Sequence, residues 1–168
     1  MLTSHELFGF MSPALANDIL NFAYESEKPA YKATLKGVAQ ALHVRPVYLE
    51  RQPRAQRHTS MIQILSKPGL DVVAAGLLRE WLVKKHKAML VDFLNALEIK
   101  NEEGVVDDLP QAIDDARLKA AIDTLLTKYQ HEAVAVYLNA FNDMNQANWA
   151  NLKQILESDS RLQLGAHS

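Results

Sequence analysis

Residues 70–97 read LDVVAAGLLREWLVKKHKAMLVDFLNAL, and this stretch decides the fold class. Leu70, Val73, Ala74, Leu77, Leu78, Trp81 and Leu82 recur at intervals of three and four, the spacing that lays side chains along one face of a helix. Met89, Leu90, Phe93, Leu94 and Leu97 repeat the pattern beyond Lys84, Lys85, His86 and Lys87. A polar, cationic turn interrupts the stripe at that point. An unbroken helix of about 30 residues would also be far longer than usual, so a break or kink is expected there.

Working outward, the same periodicity recurs. Leu15, Ile19, Phe22 and Ala23 form one stripe; Tyr31, Leu35, Val38, Ala39 and Leu42 form another. Prolines at 13, 29, 46, 53, 68 and 110 fall at segment edges, where a fixed φ and a missing N–H do least harm. Ser12 is placed to cap the helix that Pro13 opens. Arg45 to Gln52 reads as a short turn or a single helical turn between Pro46 and Pro53, and Pro53 then opens a helix through Met61, Ile62 and Leu65 that ends at Pro68 and Gly69. Lys100 to Pro110 is an acidic connector with Gly104 as its turn residue, and Asp108 with Gln111 resembles a capping box. Three further helices fit the stripes from Leu118 to Leu126, Val134 to Phe141, and Trp149 to Leu156. Only Val105 and Val106 look strand-like.

The expected fold is therefore all-α: an irregular bundle of about seven to nine helices around a single core, with no significant sheet. Residues 1–168 are read as one helical domain; a boundary between sub-bundles, if there is one, falls in the connector 100–110. Trp81 to Lys84 and Phe93 to Leu97 echo Leu125 to Lys128 and Tyr137 to Phe141 at an offset of 44 residues. Any two amphipathic helices rich in leucine and alanine align about this well, so the echo supports helical hairpins more than a repeat array.

Composition excludes several classes of chemistry. The 168 residues contain no cysteine, which removes disulfides, thiolate metal sites and cysteine nucleophiles, and suits a reducing, cytoplasmic setting. Met1 to Met11 mixes Leu2, Leu7, Phe8 and Phe10 with His5 and Glu6 and lacks the layout of a signal peptide. The longest apolar run, Val72 to Leu78, stops at Arg79, far short of a membrane span. There is no Gly-rich phosphate loop, no nucleophile elbow and no paired-histidine zinc motif. His5, His43, His58, His86, His131 and His167 are scattered, without the spacing of three or four that places two on one helical face, so no metal or cofactor is expected. The acids Asp107, Asp108, Asp114 and Asp115 cluster near a helix start, where carboxylates complement the dipole, rather than forming a catalytic pair.

Charge is the informative feature. The net charge is only -2, yet residues 28–87 carry 12 bases against Glu50, Asp71 and Glu80, while residues 88–168 carry 13 acids against 6 bases. A concentrated field steers partners of opposite sign even when the total is near zero. Within 28–67 the bases are Lys28, Lys32, Lys36, Arg45, Arg51, Arg54, Arg57 and Lys67, opposed by Glu50 alone. Arg54, Arg57 and His58 follow Pro53 closely enough for three cationic side chains and a helix N-terminus to meet an anion. The candidate binding residues are thus Arg45, Arg51, Arg54, Arg57 and His58, with a solvated face or neutralisation by the acidic half as the competing explanation.

Three functional expectations follow. The first is a nonenzymatic helical interaction module whose basic surface docks an acidic protein partner or other anion. The second is nucleic-acid binding through residues 38–57, where Val38-Ala39-Gln40-Ala41-Leu42-His43-Val44 followed by Leu49 resembles a helix-turn-helix. His43 stands where that motif favours glycine, and Pro46 with Pro53 leaves the second helix short. Tyr31 and Tyr48 are too few for a base-stacking platform. The third is an enzyme whose pocket is assembled from distant helices. Trp81 and Trp149 sit in apolar stripes and read as core. Oligomeric state is not fixed by the sequence.

Overall fold

A computed structural model describes residues 1–165, so His167 lies outside the described residues. The all-α expectation holds: the chain is 72% helical, with nine helices of seven or more residues and no sheet among the described residues. By contacts the chain divides at Trp81–Leu82 into two units, residues 2–81 and residues 82–165 together with Met1. The division falls inside the stretch that decided the fold class. The acidic connector 100–110 lies within the second unit.

The first unit holds α1 (Ser4–Phe10), α2 (Pro13–Ser26), α3 (Lys28–Ala41), α4 (Pro46–Glu50), α5 (Arg54–Leu65) and α6 (Asp71–Glu80). Ser12 Oγ accepts from Leu15 N at 3.2 Å, giving α2 the expected cap. α3 packs against α2, α4, α5 and α6 and is the centre of this unit. Its Tyr31, Thr34, Leu35, Val38 and Ala39 are buried, which is the stripe seen in the sequence with one polar member added and without Leu42, which follows the helix and is exposed. Thr34 is accommodated because its Oγ1 donates to Ala30 O at 2.8 Å, satisfying the hydroxyl inside its own helix. His5 ties α1 to α6: its backbone N–H donates to Asp71 Oδ1 at 3.0 Å and its Nδ1 lies 2.9 Å from the same oxygen. Trp81, fully buried, donates from Nε1 to Asp18 Oδ2 at 3.2 Å.

The expected break takes the form of a π-helical turn, Trp81–Lys85, after which α7 (Lys87–Ala96) starts with His86 as its cap residue. A π-turn takes up one residue more than an α-turn. The echoing Leu125 to Lys128 lies in regular α-helix, so the two stretches are not built alike.

The second unit continues with α8 (Asp115–Lys128), α9 (His131–Asn145), α10 (Ala150–Ser158) and a short 3₁₀ turn, Ser160–Leu162. Nine consecutive residues of α9, Ala133 to Phe141, are buried, so this helix has no solvent stripe over more than two turns. Phe93, Tyr137, Phe141 and Trp149 form a chain of ring contacts with centroids 5.0 to 5.6 Å apart between successive partners Trp149–Phe141, Phe141–Phe93 and Phe93–Tyr137.

The Asp108–Gln111 capping box does not form. α8 begins instead at Asp115, with Asp114 Oδ2 accepting from Arg117 N at 3.0 Å. Tertiary bonds claim the carbonyls that an earlier helix would need: Trp149 Nε1 donates to Pro110 O at 2.9 Å and Asn151 Nδ2 to Ile113 O at 2.8 Å. Gly104 is the turn residue expected, at φ +86°, and the valine pair yields a single isolated bridge, Glu102 with Val105.

Candidate functional site

The site is built on α2, α3 and α5 of the first unit. α2 ends at Ser26 and α3 begins at Lys28 with Pro29 in its first turn, so Tyr24 and Tyr31 are carried on two helices joined by the single residue Glu27. Their rings meet edge to face at 5.3 Å, and the His58 ring from α5 lies edge-on to both, 5.5 Å from Tyr31 and 6.4 Å from Tyr24. Helical spacing on α5 then sends Arg54 and Arg57 to the same cluster. The Arg54 guanidinium lies 4.0 Å from the Tyr24 ring centroid, within cation–π reach, and that of Arg57 lies at 5.7 Å.

Hydrogen bonding fixes Arg57 further. Its Nη1 donates to Tyr31 Oη at 3.2 Å and its Nη2 to Gln52 O at 3.3 Å. Tyr31 Oη in turn lies 2.8 Å from His58 Nε2. Burial, reinforced by the adjacent Arg57 and Arg54 charges, pushes the His58 imidazole down to about 4. A neutral His58 accepts the Tyr31 O–H at Nε2, and the Tyr31 oxygen is left to accept from Arg57. Burial also raises the Tyr31 phenol, although Arg57 opposes it, so Tyr31 stays a neutral donor. Arg57 Nε and Gln52 Oε1 are both shielded from solvent and have no partner.

Beside this cluster opens a cavity of about 430 Å³ lined by Tyr24, Tyr31 and Leu35, with Lys28, Lys32, Arg57, Glu25 and Glu50 supplying its charges. A second, shallower concavity is lined by Val44, Arg45, Val47, Tyr48, Arg51, Gln52 and Gln56. Tyr48 and Val47 are exposed here, at 58% and 44%, so apolar surface lies beside the arginines that flank α4; Leu42, just after α3, is 39% exposed.

The arginines singled out in the sequence therefore fall into two pairs. Arg45 and Arg51 line the shallow concavity, while Arg54 and Arg57 gather on Tyr24. His58 does not act as a third cation: it is only 1% exposed and neutral at pH 7, its ring turned into the Tyr24–Tyr31 cluster. Its place on the apolar face of α5, three residues before Met61 and seven before Leu65, was the signal for burial. Tyr24 was missed because it lies outside the basic segment, seven residues before Tyr31.

Few of the described acids form direct ion pairs with these bases. Among the described residues the only ion pair made by the bases of 28–67 is Arg54 with Glu25, at 3.6 Å and largely in solvent. Lys28, Lys32, Lys36, Arg45, Arg51, Arg57 and Lys67 have no carboxylate partner there. No group of three or more metal-ligating side chains occurs among the described residues, and no described helix is long and apolar enough to cross a membrane. The helix-turn-helix-like segment 38–57 consists of the end of α3, a turn with His43 at φ +57°, and the five-residue α4. No protein-family model, no curated protein and no solved structure matches the chain.

Proposed function

We propose that the chain is a nonenzymatic interaction module that docks an acidic protein partner on the cationic surface formed by Arg45 and Arg51, which flank α4, and by Arg54 at the start of α5. One observation carries the reading: seven bases between Lys28 and Lys67 are without a carboxylate partner among the described residues. Leaving like charges unmatched on one face costs stability through self-repulsion and gives in return a field that accelerates encounter with anions. The exposed Tyr48, Val47 and Leu42 add what a purely electrostatic face lacks. A tyrosine among arginines is the composition of an interface centre, and two of the arginines line the same concavity as Tyr48. A partner segment rich in Asp and Glu with an apolar anchor fits that mixture.

The test is selection from a displayed peptide library of random sequence, using the full chain as bait. Enriched peptides should carry acids around an apolar residue, and their affinity should fall as salt rises. Arg45→Glu with Arg51→Glu should abolish their binding while leaving the helical circular dichroism unchanged. Enrichment of peptides without acids, or binding that survives the double reversal, would overturn the reading. The same preparation titrated with labelled duplex and single-stranded oligonucleotides at low salt separates the nucleic-acid reading, for which counterion release demands a steep salt dependence. A second helix of five residues offers too few base-facing positions to favour that reading.

A further inference from the structure

We propose that the cavity between α2, α3 and α5 is a separate site for a small organic monoanion, an aromatic or aliphatic body bearing one carboxylate. Its size is the first argument. About 430 Å³ is far larger than an inorganic anion needs and falls within the usual range of small-molecule pockets. The walls are the second: Tyr24, Tyr31 and Leu35 present rings and an aliphatic side chain, surfaces that take up an apolar body.

Charge selects the third feature of the ligand. Lys28, Lys32 and Arg57 stand against Glu25 and Glu50 around the lining, and Glu25 is already paired with Arg54 at 3.6 Å, so positive charge is in excess at the cavity. A carboxylate is drawn to that excess, whereas the larger, more highly charged di- or triphosphate would also confront Glu50. Arg57 is the group that such a carboxylate would meet. It lines the cavity and is held by Tyr31 Oη and Gln52 O on two of its nitrogens. A guanidinium already fixed in position loses little freedom when it binds. Tyr31 and His58 are then positioning residues: they hold the fork and do not themselves need to touch the ligand.

This cavity is distinct from the docking concavity, which Arg45 and Arg51 line. The test is a nitrogen-15 NMR titration of the full chain with naphthoate, indoleacetate and decanoate, each paired with its neutral alcohol. At least one carboxylate should give saturable shifts centred on Tyr24, Tyr31, Leu35 and the Arg57 side chain, and its alcohol should bind about tenfold more weakly or worse. Arg57→Gln should weaken the carboxylate at least about tenfold and leave the alcohol unchanged. Lys28→Glu with Lys32→Glu, both at exposed positions, provides a variant whose folding is not in question and should weaken the carboxylate alone. Arg45→Glu with Arg51→Glu should leave it unaltered, so loss of peptide docking and loss of this site are read apart. Absence of saturable shifts from all three acids, equal binding of acid and alcohol, or full binding in both the Arg57 and the lysine variants would overturn the proposal.

Discussion

Tyr31 Oη and His58 Nε2 lie 2.8 Å apart inside the first unit, and through this contact a buried neutral imidazole sets the position of a guanidinium on the surface. His58 accepts from Tyr31, Tyr31 accepts from Arg57, and the order of the chain depends on His58 carrying no proton at Nε2.

Stability should therefore fall with acidification in a defined window. His58 is pushed down to about 4 in the folded chain, below the 6.5 of an ordinary histidine. Between those values the unfolded chain binds the proton and the folded chain does not, so stability is complete above about pH 6.5 and is lost as pH falls towards 4. The loss amounts to about 3 kcal/mol. Carboxylates held low by hydrogen bonds and charge, Asp71, Asp92 and Asp159, act below this window. Urea unfolding from pH 7.5 to 4.5 should show the decline, and His58→Gln, which keeps an acceptor without titrating, should flatten it; an unchanged slope in that variant would refute the assignment.

Asp92 joins α7 to α8 by accepting from Tyr129 Oη at 2.5 Å and from Lys128 Nζ at 2.7 Å. The two bonds differ in worth. Lys128 is 60% exposed and its pair is screened, so Lys128→Ala should leave the melting temperature unchanged. Asp92→Ala strands the half-buried Tyr129 hydroxyl and should cost about 1 kcal/mol. Equal effects of the two substitutions would show that the charge pair, not the phenol, does the holding.

Two glycines should respond to alanine with opposite signs. Gly104 is at φ +86°, and a Cβ there would lie 2.8 Å from Leu90 Cβ, so Gly104→Ala should destabilise by about 2–4 kcal/mol. Gly76 sits within α6 with nothing within 4 Å of a new Cβ, and Gly76→Ala should stabilise by about 0.5–1 kcal/mol. Chemical denaturation of the two variants measures both, and the same sign for both would contradict the backbone argument.

Trp149→Phe should cost about 2 kcal/mol even though the ring is replaced by a ring. The indole N–H that bonds Pro110 O at 2.9 Å is lost, and the smaller ring leaves space beside Phe141. Amide exchange in the connector 101–114 should accelerate in this variant more than in α9; uniform acceleration would mean that the contact does not anchor the connector.

Helix class and one cap were legible because they depend on neighbours in sequence: the stripes of α2, α3 and α5 to α10, the Ser12 cap and a break near the basic patch Lys84 to Lys87 all follow from local periodicity and charge. Asp114 displaced Asp108 as the cap of α8 because Trp149 and Asn151, nearly 40 positions away, take carbonyls of the connector. No local pattern encodes that competition. The same holds for the candidate site. Its arginines were visible as charge, but their sorting into two pairs depends on Tyr24 meeting α5, and the neutrality of His58 depends on burial beneath Arg54 and Arg57. A histidine next to two arginines reads as cationic in a string and becomes neutral once folded, since desolvation and like charge both oppose its proton.

The unbroken burial of Ala133 to Phe141 has an evolutionary corollary. Most helices drift in sequence along their wet side, where exchanges among polar residues are nearly free, but this one has no such side over those nine positions. Its alanines at 133, 135 and 140 cannot grow and its large residues cannot shrink without a compensating change elsewhere. Relatives of this chain should accordingly diverge everywhere else first, and α9 is the segment by which distant kin would be recognised.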